Sequence, residues 1–177
     1  MLITVSGPPG SGTTTTSEHV AARLELTLLP GGTVFRAMAR ERGMSLAEFG
    51  LYAADHPEID VELDTRLAKR AGDGDVLIES RLAGWIARNE GLSAVTVHLD
   101  CAAEVRAARV AGREQLDPAR ALADNAERER VERDRYLALY GIDLDDLSIY
   151  DLVLDSGALS PGELADRVVA EARARFG

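Results

Sequence analysis

The sequence predicts an α/β fold in which five parallel strands form one sheet with helices on its faces. Short apolar segments rich in β-branched residues recur along the chain, and segments with helical spacing of apolar residues separate them. Strands that alternate with helices are typical of a parallel sheet joined by right-handed crossovers. The 177 residues, 46% of them apolar, fit a single domain with a sizeable core. The predicted strands are residues 2–6, 26–30, 75–80, 94–100 and 151–155.

The first strand leads into a glycine-rich loop. Residues 2–6 read LITVS, the pattern of a strand buried on both faces. The residues that follow, GPPGSGTTTT, place Gly7 and Gly12 at the spacing of a phosphate-binding loop (P-loop) and precede a helical segment. Backbone N–H groups of such a loop surround phosphate oxygens, and glycines allow a close approach. The residues expected to hold donor phosphates are Gly7, Pro8, Pro9, Gly10, Ser11, Gly12, Thr13, Thr14 and Thr15.

The P-loop lacks its usual lysine, because Thr13 stands where the pattern requires that residue. The backbone contacts to phosphate do not need a lysine. Two interpretations therefore remain: a kinase in which other cations compensate, and a nucleotide-binding module that has lost catalysis. Thr14 is the expected hydroxyl ligand of Mg²⁺, and Glu79, at the end of a predicted strand, is the expected carboxylate. Asp100, at the end of the next strand, is the alternative carboxylate.

Helical segments fill most of the remaining chain. Residues 33–71 are predicted to be helical in two or three pieces, with Ser45 and Glu48 forming a capping box and Pro57 interrupting the pattern. Residues 102–137 form a long arginine-rich helical stretch that is interrupted near residues 115–118. The last helix begins after Ser160, with Pro161 as its first residue.

Arginines are the candidates for neutralising charge, since phosphoryl transfer relies on positioning and on neutralisation of the moving group. Arg81 follows a buried strand, at the sheet edge where open α/β folds bind ligands. Arg109 and Arg113 lie one helical turn apart and are candidate donor-nucleotide contacts. For any single arginine the alternative is a solvated helix face paired with neighbouring glutamates. The other candidates are Arg36, Arg128, Arg130, Arg133 and Arg135.

The composition excludes several classes of partner. A formal charge of −10 argues against a broad basic surface for nucleic acid or anionic lipid. No apolar run is long enough to span a membrane, and no basic segment precedes the first strand, so neither a membrane protein nor a secreted one is expected. The single cysteine, Cys101, cannot form an internal disulfide, which suits the cytoplasm. The three histidines share no metal-ligand spacing and are expected to be structural.

Several stretches together resemble the cytidylate kinases, nucleoside monophosphate kinases of the P-loop class. The most specific is RERVERDRYLALYGIDLDDLSIYDLVLD, and others are ITVSGPPGSGTTTT, GGTVFRAMARERGMSLAEFG, PEIDVELD and LIESRLAGW. The resemblance implies a core of residues 1–32, 72–112 and 148–177, an acceptor-binding helical insert at about 33–71, and a mobile lid at about 113–135. It also implies that threonine can replace the P-loop lysine without loss of activity.

The resemblance further implies roles for single residues. Arg36 and Arg81 would clamp the acceptor monophosphate, while Arg128 and Arg135 would act from the lid, with Thr13, Arg81, Arg128 and Arg135 as the catalytic set. Glu132 would face the base or orient Arg135, and Asp60 and Asp64 would lie in the acceptor site. Thr33 and Val131 depart from the family pattern, which affects the identity of the acceptor more than the reaction type.

The predicted function is ATP-dependent phosphorylation of CMP or dCMP to the diphosphate, with Mg²⁺ and release of ADP. The enzyme is expected to be a monomer in the cytoplasm with small nucleotides as its only partners. One alternative is a kinase of the same fold for another small molecule, with Asp60 or Asp64 as the base that deprotonates an alcohol. The other alternative is the nucleotide-binding module without catalysis.

Overall fold

The five predicted strands form one sheet in which every neighbouring pair is parallel. The computed structural model describes residues 1–177, apart from the side chains of Leu46 and Ala47. The strand order is β2-β3-β1-β4-β5, so β1 lies at the centre. The predicted α/β fold is therefore confirmed. The strands are β1 (Leu2–Ser6), β2 (Thr27–Pro30), β3 (Val76–Glu79), β4 (Val95–Asp100) and β5 (Leu152–Asp155).

The helices begin and end largely where the sequence indicates. Ser45 and Ser160 each form the expected capping box with the glutamate three residues later. The predicted stretch 102–137 is two helices, separated at Gln115, which ends the first in a left-handed conformation, and Asp117, which caps the second. The helices are α1 (Thr13–Leu24), α2 (Gly31–Glu41), α3 (Leu46–Asp55), α4 (Glu58–Gly72), α5 (Ala83–Asn89), α6 (Ala103–Glu114), α7 (Pro118–Tyr140) and α8 (Pro161–Phe176), and Leu147–Ile149 form a 3₁₀ turn.

Apolar side chains cover both faces of the sheet, as the strand sequences predict. Ile3 and Val5 of β1 pack with α1 and α8 on one face, in a cluster that includes Leu164. The other face packs α4, α5 and the end of α7 against β3 through residues such as Ile78 and Tyr136. None of the described helices combines the length and apolar character needed to cross a membrane.

Helices α2, α3 and α4 have a small core of their own. Met38, Phe49 and Ile59 are fully or almost fully buried in it, and Val34 and Leu63 connect this core to the one beneath the sheet. The three helices therefore pack as a unit beside the edge of the sheet that carries β2 and β3. Their assignment as the acceptor-binding insert stays a prediction.

Gly84 of α5 packs directly against an aromatic ring, which makes it a sensitive position for substitution. A Cβ atom there would lie 2.5 Å from Cε1 of Tyr150. We expect Gly84→Ala to lower the free energy of unfolding by about 1–3 kcal/mol because the ring must move. Gly112→Ala in α6 is the matched control: its Cβ meets nothing within 4 Å, so a gain of up to about 1 kcal/mol is expected. Equilibrium unfolding in urea measures both, and equal stability of the two variants would contradict the prediction.

Candidate active site

The P-loop connects β1 to α1 and uses its glycines for close packing. Gly10 and Gly12 have φ angles of 83° and 86°, in the region that favours glycine. A Cβ atom on Gly7 would lie 2.7 Å from the carbonyl oxygen of Leu99, and one on Gly10 would lie 2.7 Å from that of Arg106. The loop is therefore closely packed between β4 and α6. Gly12 precedes the first turn of α1, so the N–H groups of that turn face the loop.

Two threonines of the P-loop donate hydrogen bonds to one carboxylate. The hydroxyl of Thr13 lies 2.6 Å from Oε1 of Glu79, and the hydroxyl of Thr14 lies 3.1 Å from the same atom. Glu79 ends β3 and is paired with Val5 of β1, which brings it to the start of the loop. A threonine hydroxyl and one carboxylate are the oxygen ligands that Mg²⁺ takes beside nucleotide phosphates. Thr14 and Glu79 therefore fit a magnesium site.

Glu132 of α7 lies between two arginines. Its Oε2 atom is 2.5 Å from Nε of Arg81, just beyond β3, and its Oε1 atom is 2.8 Å from Nε of Arg128, one helical turn earlier. Glu132 is only 7% exposed. Burial raises the pKa of its carboxyl, but Arg81 and Arg128 together outweigh this effect and hold the pKa below its ordinary value. A buried carboxylate thus fixes Arg81 and Arg128, two of the three arginines in the predicted catalytic set.

Asp60 of α4 and Arg135 of α7 form a second buried pair. Oδ2 of Asp60 and Nε of Arg135 are 3.3 Å apart, yet neither atom has a hydrogen-bond partner among the described residues. Burial raises the pKa of Asp60; Arg135 opposes the shift, and the negative charge of Glu132 adds to it. The pair therefore joins α4 to α7 through two oppositely charged groups whose facing atoms are buried.

Asp64, one turn after Asp60 on α4, forms a hydrogen bond with Tyr140. The hydroxyl of Tyr140 donates a hydrogen bond of 2.6 Å to Oδ2 of Asp64, which joins α4 to the end of α7. Burial raises the pKa of Asp64 to about 6, against the effect of the Tyr140 hydrogen bond and with a smaller contribution from Asp60. Both residues line a cavity of about 170 Å³ whose wall is made by α4, α5 and the end of α7. Asp64 thus has Tyr140 as its direct partner, whereas Asp60 has Arg135.

The remaining predicted arginines differ in their contacts. Arg36 is exposed and donates to the hydroxyl of Thr33 at 2.9 Å, so the residue that departs from the family pattern orients it. Arg109 donates to the carbonyl oxygen of Gly10 at 3.3 Å and to that of Ser156 at 2.7 Å, beside the P-loop. The side chain of Arg113 is 67% exposed and pairs with the adjacent Glu114. Its contact with a donor nucleotide stays a prediction.

The sequence reasoning missed Arg106, one turn before Arg109. Arg106 is 7% exposed and contacts the P-loop and Glu129 of α7. The available signal was the spacing of three residues between the two arginines, which places both on one face of α6. Arg106, Glu129, Arg81 and His98 line a cavity of about 210 Å³ that reaches Pro8 of the P-loop. Charged side chains from α6, from α7 and from the segment just beyond β3 therefore converge beside the P-loop, at the carboxyl ends of the central strands.

The fold and the loop define a P-loop nucleotide-binding domain with the architecture of small kinases. Residues 3–132 match the family described as "AAA domain". A shikimate kinase structure from Bacteroides thetaiotaomicron has the same fold, with a TM-score of 0.63 and 12% identity over 98% of this chain and 96% of that one.

More similar relatives identify the family. A cytidylate kinase of Pyrococcus horikoshii is 50% identical over 161 residues, which cover 91% of this chain and 82% of the relative. A cytidylate kinase of Methanocaldococcus jannaschii is 46% identical over 157 residues, 88% of each chain. The chain belongs to the cytidylate kinase family, which confirms the resemblance.

The raised pKa of Asp64 predicts a pH-dependent stability. Its folded-state pKa of about 6 exceeds the ordinary value of 3.8, so the folded protein binds this proton more tightly than the unfolded chain does. The contribution of Asp64 to stability therefore rises as the pH falls through about 6. We expect the stability of the natural protein minus that of Asp64→Asn to grow by on the order of 1–3 kcal/mol from about pH 8 to about pH 4.

Urea unfolding across this pH range measures the difference. Asp55→Asn, at an exposed carboxylate that ends α3, is the control and should follow the natural protein. A stability difference for Asp64→Asn that stays constant with pH would show that Asp64 does not titrate in this way.

Proposed function

We propose that this protein catalyses the ATP-dependent phosphorylation of CMP or dCMP. The observation that carries the proposal is the similarity to cytidylate kinases over most of the chain, up to 50% identity over 91% of its length. The site agrees with it: a P-loop for the donor phosphates stands next to a cluster of arginines and buried carboxylates. No contact of the described residues favours either alternative function.

The reaction moves one phosphoryl group between two nucleotides. An oxygen of the acceptor phosphate forms a bond to the γ-phosphorus of ATP while the bond from that phosphorus to the β–γ bridging oxygen breaks. The products are ADP and the cytidine diphosphate. The acceptor oxygen already carries negative charge, so no residue has to remove a proton. The enzyme has to align the two phosphates and neutralise their charge.

The P-loop and its neighbours bind the donor. The loop from Gly7 to Thr15 surrounds the phosphates of ATP, with backbone N–H groups of residues other than the two prolines as donors, and Arg109 stands beside it. Thr14 and Glu79 would hold Mg²⁺, which neutralises phosphate charge when it is bound. Thr13 keeps Glu79 in place through its 2.6 Å hydrogen bond. In the absence of the P-loop lysine, Arg81 and Arg128 supply positive charge from outside the loop.

The acceptor binds between β3, α2, α4 and α7. Arg81 and Arg36 hold its phosphate. The base lies against Asp60 and Arg135, whose buried Oδ2 and Nε atoms lack hydrogen bonds. Cytosine presents an amino group as donor beside ring acceptors, and this pattern complements a carboxylate next to a guanidinium. Uracil presents an acceptor where cytosine has its amino group, so it offers Asp60 no donor and binds less well.

The composition supports a proposal about the cellular setting. A formal charge of −10 and a single buried cysteine support a cytoplasmic enzyme that acts on small nucleotides and not on nucleic acid. The resemblance to cytidylate kinases supports a monomer. Size-exclusion chromatography with light scattering tests the monomer.

The acceptor panel tests the proposed reaction. We expect ADP release from ATP and Mg²⁺ with CMP or dCMP, weaker release with UMP, and little with AMP, GMP or no acceptor. Arg81→Ala should reduce kcat/KM for CMP by about 10²-fold or more, because it removes a clamp on the phosphate and leaves Glu132 partly unpaired. Arg70→Ala removes an exposed pair with Asp73 and should retain activity. Binding of ATP without turnover on any acceptor would contradict the proposal.

The lid arginines are expected to act on turnover more than on binding. We expect Arg128→Ala to reduce kcat by about 10²-fold or more while KM for either nucleotide changes several-fold, since the charge it neutralises develops during transfer. Arg130→Ala is the matched control on α7, because Arg130 pairs only with Glu127 and Asp134 at the surface. Steady-state kinetics of both variants decide the matter; a raised KM with an unchanged kcat for Arg128→Ala would assign it to ground-state binding.

A further inference from the structure

The carbonyl groups of a P-loop need hydrogen-bond donors from outside the loop. The N–H groups of the loop point inward to the phosphates, so its carbonyl oxygens point outward. A buried carbonyl oxygen without a donor is costly. Two successive carbonyl oxygens, those of Pro9 and Gly10, receive hydrogen bonds from arginines on one face of α6. Arg109 bonds Gly10, and Arg106 bonds Pro9.

Arg106 contacts three separate parts of the fold. Its Nε donates to the carbonyl oxygen of Cys101 at 2.9 Å, at the end of β4. One terminal nitrogen donates to the carbonyl oxygen of Pro9 at 3.2 Å and also bonds Oε1 of Glu129. The other terminal nitrogen lies 3.2 Å from Oε2 of Glu129. The carboxylate of α7 is thus held through both of its oxygens, the geometry in which arginine binds a carboxylate most firmly.

The hydrogen bond to Pro9 sets the direction of the next N–H group. The carbonyl and the N–H of one peptide unit point in opposite directions, so an outward carbonyl of Pro9 turns the N–H of Gly10 inward. That N–H has no backbone partner among the described residues. The carbonyl oxygen of Arg106 itself would lie 2.7 Å from a Cβ on Gly10, so the same turn of α6 contacts the loop through its backbone and its side chain.

We propose that Arg106 is a positioning residue that orients the Pro9–Gly10 peptide for the donor phosphates, and that Glu129 holds Arg106 in place. The proposal rests on the use of ATP in the proposed function but not on the identity of the acceptor. Arg106 acts through the loop backbone and needs no contact with the nucleotide.

Glu129 connects this arrangement to the acceptor side. A guanidinium that is 7% exposed requires a countercharge, and Glu129 supplies it from α7. Glu132, one turn later on the same helix, holds Arg81, and Arg135 pairs with Asp60. Displacement of α7 therefore removes the partner of Arg106 and the partner of Arg81 together. The orientation of the P-loop peptide depends on α7 being docked.

Binding of inorganic tripolyphosphate with Mg²⁺, measured by calorimetry, tests the proposal without adenine or acceptor. We expect Arg106→Met to weaken tripolyphosphate binding about fivefold to tenfold, and to weaken a non-hydrolysable ATP analogue by a similar factor. Arg106→Lys keeps a cation that can reach the Pro9 carbonyl and should restore part of the loss. Glu129→Gln keeps the shape but loses the countercharge, and should weaken binding about threefold.

The control variant, Arg23→Met, removes an arginine–aspartate ion pair away from the P-loop. Arg23 of α1 joins Asp166 and the carbonyl oxygen of Gly162 in α8, so Arg23→Met also breaks a guanidinium bridge between elements. Its tripolyphosphate affinity should equal that of the natural protein. In the Arg106→Met background, Glu129→Gln should have no further effect on affinity, because Glu129 acts through Arg106.

Each outcome decides the proposal. Unchanged tripolyphosphate affinity in folded Arg106→Met overturns it, as does an equal effect of Glu129→Gln with and without Arg106. If Arg106→Met does not fold, Arg106→Lys and Glu129→Gln decide in the same way, and an affinity equal to that of the natural protein in both variants overturns the proposal.

In steady-state kinetics of the Arg106 variants, KM for ATP should rise more than KM for the acceptor. Failure of the acceptor panel would leave the tripolyphosphate result standing, so the two proposals fail independently.

Discussion

Neutralisation of two carboxylates on α7, buried Glu132 and half-buried Glu129, is the constraint on which the site depends. Glu132 is 7% exposed and can lie there only because Arg81 and Arg128 flank it. Arg81 belongs to the end of β3, so this pairing sets the position of α7 over the carboxyl ends of the central strands. Glu129 repeats the arrangement one turn earlier with Arg106 of α6. One helix thereby faces both the P-loop and the predicted acceptor site.

The same network explains how an acidic protein can bind two anionic nucleotides. The formal charge is −10, but the cavity of about 210 Å³ beside Pro8 contains Arg81 and Arg106 at its wall. Each of these guanidinium groups already has a carboxylate partner, so the site carries little net charge before it binds nucleotide. Phosphates that enter compete with Glu132 for Arg81, whereas Glu129 stays paired with Arg106. Local pairing, and not net charge, governs the affinity for anions here.

The sequence predicts the fold better than it predicts the partners within the site. Strand positions follow from apolar runs such as LITVS, and helix ends follow from Ser45 and Ser160, because these signals act over a few residues. The sequence also indicates Arg81, which follows a buried strand. It does not reveal that Glu132 separates Arg81 from Arg128, or that Arg106 is buried, because both depend on how α6 and α7 pack. In the sequence, Arg106 is one arginine among many on a helix that reads as solvated.

The presence of Thr13 in place of the P-loop lysine changes where the positive charge near the phosphates comes from. A lysine would place positive charge permanently within the loop, whereas Thr13 donates its hydroxyl to Glu79 and leaves the loop without a side-chain cation. The positive charge near the phosphates then comes from arginines on α6, β3 and α7, whose positions depend on the pairing of Glu129 and Glu132. In the proposed acceptor site, the base would contact the same helix through Arg135, which pairs with Asp60. Under the proposed function, charge neutralisation at the donor phosphates would require a docked α7, and a bound acceptor would favour docking. Transfer would then depend on the presence of the second nucleotide, and hydrolysis of ATP by water would be limited.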